Sequence, residues 1–193
     1  MTLAVVILAG GKGRRIGGSK PLRSLAGKRL IDHAERFARS WSTVAAVAVR
    51  NPRQVEPIGL ECICDDARVE GPLAGLAAAL RFARERECAW LLTIPADMPF
   101  LPGDLAERLS AASGQGGAVI AESGGKLHPV CALWSIAALA SLPGYLATGR
   151  RSLKGIAQAV GMTSVEWPID PLDPFLNINS AEDLAAAERL IRR

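Results

Sequence analysis

Six apolar residues, Leu3 to Leu8, run together without a charge, as in a strand buried on both faces. After a glycine-rich stretch, Leu30, Ile31, Ala34, Phe37, Ala38 and Trp41 recur at three- and four-residue steps with Asp32, Glu35, Arg36 and Arg39 between them. That spacing predicts an amphipathic helix over about 29–40, with His33 off the stripe and at the surface. Thr43 to Val49 predicts a second strand, ended by Arg50-Asn51-Pro52. Leu60 to Cys64 predicts a short third strand, followed by Asp65 and Asp66. The stretch Gly71-Pro72-Leu73-Ala74-Gly75-Leu76 opens an alanine-rich helix to about Arg86, with proline just inside its start. Ala89 to Ile94 is again almost wholly apolar and predicts a central parallel strand.

The second half reads as a helix at 104–112, a strand at 118–121 and a further strand headed by His128. Helices at about 135–142 and 151–160 follow, separated by Pro143-Gly144, and then a strand at 164–167. Pro168 to Pro174 predicts a loop. Phe175-Leu176-Asn177-Ile178-Asn179 alternates apolar and amide side chains, so both asparagines are expected to point one way. Ser180 and Asp183 form a capping-box pattern for a terminal helix, with aspartate in place of the usual glutamate. No repeat, linker or low-complexity tract interrupts the chain, so residues 1–193 are expected to form one α/β domain.

Composition narrows the possibilities. No stretch approaches the roughly 20 apolar residues that span a bilayer, although 49% of the chain is hydrophobic. A soluble, cytoplasmic protein without membrane association is expected. Net charge is +4, and much of the surplus lies in the N-terminal loop and at Arg150, Arg151 and Lys154, which suits an anionic small molecule. With one tyrosine and four phenylalanines, and no basic run interleaved with aromatics, nucleic acid is not expected as a partner. Cys62, Cys64, Cys88 and Cys131 show no metal-ligand spacing and read as free thiols.

The chemistry concentrates where the first strand ends. Residues 10–20 hold five glycines and the cations Lys12, Arg14, Arg15 and Lys20. Glycines bring backbone N–H groups against an oxyanion and the cations supply full charge, which outlines a polyphosphate site. The stretch fits neither the P-loop, because Lys20 precedes Pro21, nor the dinucleotide fingerprint, because Ile16 stands at the third glycine. Asp97, in a proline-stiffened turn after the Ala89–Ile94 strand, is placed to hold Mg²⁺ against a triphosphate. Asn51 follows a strand end, where an amide reads a base or ribose, although turn chemistry before proline also explains it. His128 has no nucleophile beside it and is given no chemical step.

These residues carry a resemblance. The ordered motifs LAGGKGRRIGGSK (8–20), GPLAGL (71–76), IPADMPFL (94–101), HPVCALW (128–134) and FLNINSAEDL (175–184) resemble those of the molybdenum cofactor guanylyltransferases, the MobA family. Two positions depart from the family pattern: Ile16 stands where methionine is usual, and Ser19 where many members have aspartate. The resemblance implies a Rossmann-like three-layer α/β/α nucleotidyltransferase fold with a mostly parallel central sheet. It implies transfer of GMP from GTP to Mo-molybdopterin, with Mg²⁺ as cofactor. By carry-over, Leu8, Ala9, Gly10, Gly11, Lys20, Asn51, Asp66, Gly71 and Asp97 would bind GTP, with Asp65 as an alternative to Asp66. Lys12, Arg15 and Lys20 would grip the phosphates and Asp97 would hold the metal.

The N-terminal half would thus bind the nucleotide and the C-terminal half the pterin, with His128, Arg150, Lys154, Asn177 and Asn179 as pterin candidates. A monomer making transient contacts with molybdopterin-synthesis proteins and recipient molybdoenzymes is the expected setting. Two rivals remain: a molybdopterin cytidylyltransferase or sugar-phosphate nucleotidyltransferase of the same fold, and a non-catalytic cofactor carrier.

Overall fold

The computed structural model describes residues 2–10, 20–114 and 116–191. The described residues form nine strands: β1 (Leu3–Leu8), β2 (Ser24–Leu25), β3 (Lys28–Arg29), β4 (Val44–Val49), β5 (Glu61–Cys64), β6 (Trp90–Pro95), β7 (Ala118–Ser123), β8 (Lys126–Ser135) and β9 (Met162–Trp167). Six α-helices accompany them among the described residues: α1 (Leu30–Trp41), α2 (Leu73–Glu85), α3 (Leu105–Ala111), α4 (Ala138–Ala147), α5 (Leu153–Ala159) and α6 (Ala181–Ile191). Seven strands build one sheet in the order β5-β4-β1-β6-β8-β7-β9. Within it β8 runs antiparallel to both neighbours, and the remaining pairs are parallel.

The period of two in β1 divides the interior. Val5 and Ile7 join Val47, Val49, Leu92 and Ile94 against α1 and α3, while Ala4 and Val6 join Ala46, Ala48 and Leu91 against α2, α4 and α5. Helices therefore cover both faces of a mostly parallel sheet. The second face is paved with alanine, and α2, which buries ten of its residues, lies on it; this is why that helix is apolar nearly all round. Each large side chain fully buried there contributes roughly 1.5–3 kcal/mol. The deepest polar groups are satisfied: Trp134 Nε1 donates to Thr93 Oγ1 at 3.0 Å, and Thr93 donates to the Ala132 carbonyl at 3.3 Å.

One element was not foreseen and two local expectations are corrected. The sequence pattern missed the β2–β3 hairpin, whose turn places Ala26 and Gly27 at φ 51 and 76, although only the glycine favours that region. Helix α4 starts at Ala138 and continues through Pro143, because Leu142 and Tyr145 on either side are buried against the sheet and α5. Residues 175–179 form no strand; Phe175 and Ile178 are the buried pair, three residues apart, so the amides share no ladder face. Among the described residues no helix is long and apolar enough to cross a membrane.

Candidate active site

Four neighbouring parallel strands, β5, β4, β1 and β6, end side by side. Open α/β sheets collect ligands outside such carboxyl ends. Each strand delivers one group there: Gly10 after β1, Arg50 after β4, Asp65 after β5 and Asp97 after β6. Two further backbone bonds hold this rim, from Ala9 N–H to the Ala48 carbonyl at 2.9 Å and from Asp65 N–H to the Val49 carbonyl at 2.8 Å.

A pocket of about 310 Å³ opens between these ends and the first turn of α2. Leu8, Pro72, Val130 and Leu153 give it apolar walls, and among the described residues Arg50 and Asp65 are its charged lining. Glycines make room for the Asp65 carboxylate. A Cβ on Gly10 would stand 2.2 Å from Oδ2, and one on Gly75 would stand 3.3 Å from Oδ1. Gly71, at φ +73, turns the chain into α2 beside them. Asp65 Oδ1 is buried without a hydrogen-bond partner among the described residues. Burial pushes the Asp65 pKa up, against the opposing charge of Arg50. A carboxylate kept charged here calls for hydrogen-bond donors, which a ligand in the pocket can supply.

Asp66, the alternative carried by the resemblance, is engaged elsewhere. It pairs with Arg68 at 3.1 Å and Arg81 at 2.9 Å, and its side chain is 7% exposed. Hydrogen bonds from Arg68, with the charge of Arg81, hold its carboxyl far below the ordinary range. Asp65 is the acid that lines the pocket. A similar exchange occurs after β4. Asn51 Oδ1 accepts from Arg53 N–H at 3.0 Å as the cap of a short 3-10 turn, and Arg50 lines the pocket instead. Sequence reasoning missed Arg50, whose signal was its place directly after the strand.

Next to the pocket, the Lys20 ammonium donates to Asp97 Oδ2 and, at 2.7 Å, to Asn179 Oδ1. Lys20 opens a 3-10 turn, and the Asn179 segment is pinned by Ile178 N–H donating to the Asp97 carbonyl at 2.9 Å. Asp183 Oδ2 accepts from Asn179 and Ser180 N–H, so the aspartate variant of the capping box closes at α6. A carboxylate and an amide oxygen thus face one cation, a hard-oxygen set suited to Mg²⁺ completed by phosphate and water. Among the described residues no cluster of three His, Cys, Asp or Glu could hold a metal by itself.

The other expected residues separate. Gly11, Lys12 and Arg15 lie outside the described residues. Leu8 and Gly10 line the pocket, while Ala9 is buried. Arg150 and Lys154 are exposed on either side of the pocket-lining Leu153. Asn177 is half-buried, and it is Asn179 rather than Asn177 that reaches Lys20. His128 does not face a ligand: it is 3% exposed, stacked on Phe175 at 4.6 Å and bonded to Ser123 Oγ at 2.8 Å. Ser123 gives its single proton to Asp173 Oδ1 at 2.9 Å, so His128 Nε2 must be the donor to Ser123. Burial lowers the His128 pKa, with Asp173 opposing.

Residues 5–162 match a family described as the MobA-like NTP transferase domain. A curated relative from Cereibacter sphaeroides, named molybdenum cofactor guanylyltransferase, is 40% identical over 195 residues, covering 100% of this chain and 99% of the relative. A solved structure of molybdopterin-guanine dinucleotide biosynthesis protein A from Archaeoglobus fulgidus superposes with a TM-score of 0.76 at 26% identity, covering 98% of each chain. The 4-diphosphocytidyl-2C-methyl-D-erythritol synthase of Anaerococcus prevotii superposes at 0.77 with 13% identity, over 100% of this chain and 96% of that one, a likeness of fold alone.

Proposed function

The chain belongs to the MobA-like NTP transferase family, and on that premise we propose that it is a molybdenum cofactor guanylyltransferase. It transfers GMP from GTP to the terminal phosphate of Mo-molybdopterin, forming molybdopterin guanine dinucleotide. An acceptor phosphate oxygen bonds to the α-phosphorus of GTP, the bond between that phosphorus and the α–β bridging oxygen breaks, and pyrophosphate leaves.

The observation that carries the guanine reading is the Asp65 oxygen left without a partner among the described residues, in a pocket with apolar walls. A carboxylate only accepts hydrogen bonds. Guanine presents adjacent N1–H and N2–H donors, whereas cytosine sets an acceptor, N3, next to its amino group. An ionised Asp65 therefore favours guanine.

Such a transfer asks little covalent chemistry of the protein; alignment and charge neutralisation do the work. Lys20 leaves Asp97 and Asn179 to meet the β- and γ-phosphates, with Lys12 and Arg15 from the same glycine-rich stretch. Asp97 is the residue that would hold Mg²⁺, which when bound neutralises charge on the reacting phosphates. Asn177 and Asn179, on the segment tied to the Asp97 backbone, are the amides this reading offers to the acceptor, and exposed Arg150 and Lys154, flanking Leu153 in sequence, are its cations. His128, being buried, is withdrawn from the pterin site.

Pyrophosphate release from Mg-GTP and Mg-CTP, each with and without Mo-molybdopterin, tests this reading. Acceptor-dependent release from GTP alone is expected. Release from CTP would replace the base assignment, and pterin binding without release would make the protein a carrier.

A further inference from the structure

Arg50 and Asp65 carry opposite charges into one pocket, yet no ion pair joins them. Among the described residues the Arg50 side chain makes no hydrogen bond or ion pair, while its backbone N–H is fixed by Gln54 Oε1 at 3.0 Å. That bond, with the Asn51 cap of the following turn, sets where the Arg50 side chain leaves the strand end. Two charges of opposite sign in one small pocket, neither hydrogen-bonded nor ion-paired through its side chain among the described residues, leave room for a flat ligand with donors on one edge and acceptors on the next.

Resting on the guanylyltransferase reading, we propose that Arg50 is a second base reader, its guanidinium fork donating to guanine O6 and N7 while Asp65 accepts from N1–H and N2–H. Arginine matches that pair of acceptors bidentately, and O6 adjoins the edge that a carboxylate binds. Both charges then find partners in one base. Adenine would turn its N6 amino group toward the guanidinium and its N1 acceptor toward the carboxylate. Cytosine lacks N7 and turns an amino group the same way. Asp65 and Arg50 together thus read a pattern that only guanine satisfies, and the amide expected at Asn51 is not required for it.

Equilibrium dialysis of Mg-GTP, Mg-7-deaza-GTP, Mg-ITP and Mg-CTP against the full chain tests the assignment, using wild type, Arg50→Ala and Arg50→Lys. 7-Deaza-GTP lacks the N7 acceptor and ITP lacks the N2 amino group. Wild type is expected to bind GTP about tenfold more tightly than 7-deaza-GTP, the effect of one charge-assisted bond. Arg50→Ala is expected to weaken GTP on the order of 10- to 100-fold, to bind GTP and 7-deaza-GTP alike, and to keep its preference for GTP over ITP, because Asp65 is intact. Arg50→Lys, a point charge without the fork, recovers part of the GTP affinity.

The proposal is overturned if Arg50→Ala weakens GTP, 7-deaza-GTP and ITP by one common factor, which would assign the guanidinium to ribose or phosphate, or if it leaves GTP binding unchanged. Wild type that binds CTP as well as GTP would instead overturn the guanylyltransferase reading before any variant is made. Arg50 is exposed, and thermal melts without nucleotide separate a binding defect from a folding one.

Discussion

The ammonium of Lys20 is held by the carboxylate of Asp97, 77 residues further along the chain, and by the side-chain oxygen of Asn179. One cation therefore ties the glycine-rich stretch, the end of β6 and the segment leading into α6. The contact is polar and at the surface of the site, so its loss leaves both core clusters in place.

Replacing Lys20 with alanine or Asp97 with asparagine is expected to lower guanylyl transfer on the order of 10²–10³-fold, the usual effect of removing a positioned charge. Circular dichroism should stay native in both. Turnover near wild type in a folded Asp97→Asn protein would remove this carboxylate from the reaction.

Gly10→Ala separates the geometry of the base pocket from its stability. The new Cβ would stand 2.2 Å from Asp65 Oδ2, a terminal atom of a side chain that can rotate away. The fold should survive and the carboxylate should move. GTP affinity and its advantage over ITP are both expected to fall, with little change in melting temperature; an unchanged GTP/ITP ratio would show that the Asp65 position does not set the base.

Much of this arrangement was legible in the chain. β1, β4 and β6 are short apolar runs because both faces of the sheet are covered, β5 is the shorter edge strand beside β4, and the four groups of the rim come within two residues of these strand ends. Which neighbour lines the pocket was not legible. Asn51 against Arg50 and Asp66 against Asp65 differ by one residue, and the choice depends on a side-chain cap in one case and on two arginines in the other. One of those arginines, Arg81, comes from α2, so the decision on Asp66 is tertiary. Pro143 misled for a similar reason: burial of its neighbours outweighs a local cost of roughly 3 kcal/mol.

Asp65→Asn should trade function for stability. A carboxyl whose folded pKa is raised binds more protons in the native state than in the unfolded one, so its cost is full at neutral pH. That cost fades as pH falls through the folded value toward 3.8, the ordinary value. The substituted amide is neutral throughout. The variant should melt higher than wild type at pH 7, by about 2–4 °C for each kcal/mol gained, with the gap closing in acid. Its preference for GTP over ITP should be lost. A lower melting temperature at pH 7 would mean that the buried charge is not a burden.

Asp66→Ala should do the reverse. The pairs with Arg68 and Arg81 stabilise a carboxylate whose folded pKa is depressed, so their contribution is present above 3.8 and lost as pH falls through the folded value. At pH 7 the variant should lose about 1–2 kcal/mol in urea melts, with wild-type GTP/ITP selectivity. Altered base selectivity would return Asp66 to the pocket.

The buried chain from His128 through Ser123 to Asp173 carries the last prediction. It fastens the start of the segment that ends at Asn179, because Asp173 Oδ1 also accepts Phe175 N–H at 2.9 Å. Burial, with the charge of Lys126, lowers the His128 pKa, while Asp173 and Glu122 oppose. The unfolded state therefore binds the extra proton first: stability is full above 6.5, the ordinary value, and declines as pH falls below it toward the folded value. His128→Gln keeps a donor for Ser123 but cannot titrate. Wild type should lose melting temperature between pH 7.5 and 5.5, and His128→Gln should lose less. Equal slopes in the two proteins would show that this histidine takes up its proton as readily in the fold as in the unfolded chain across that range.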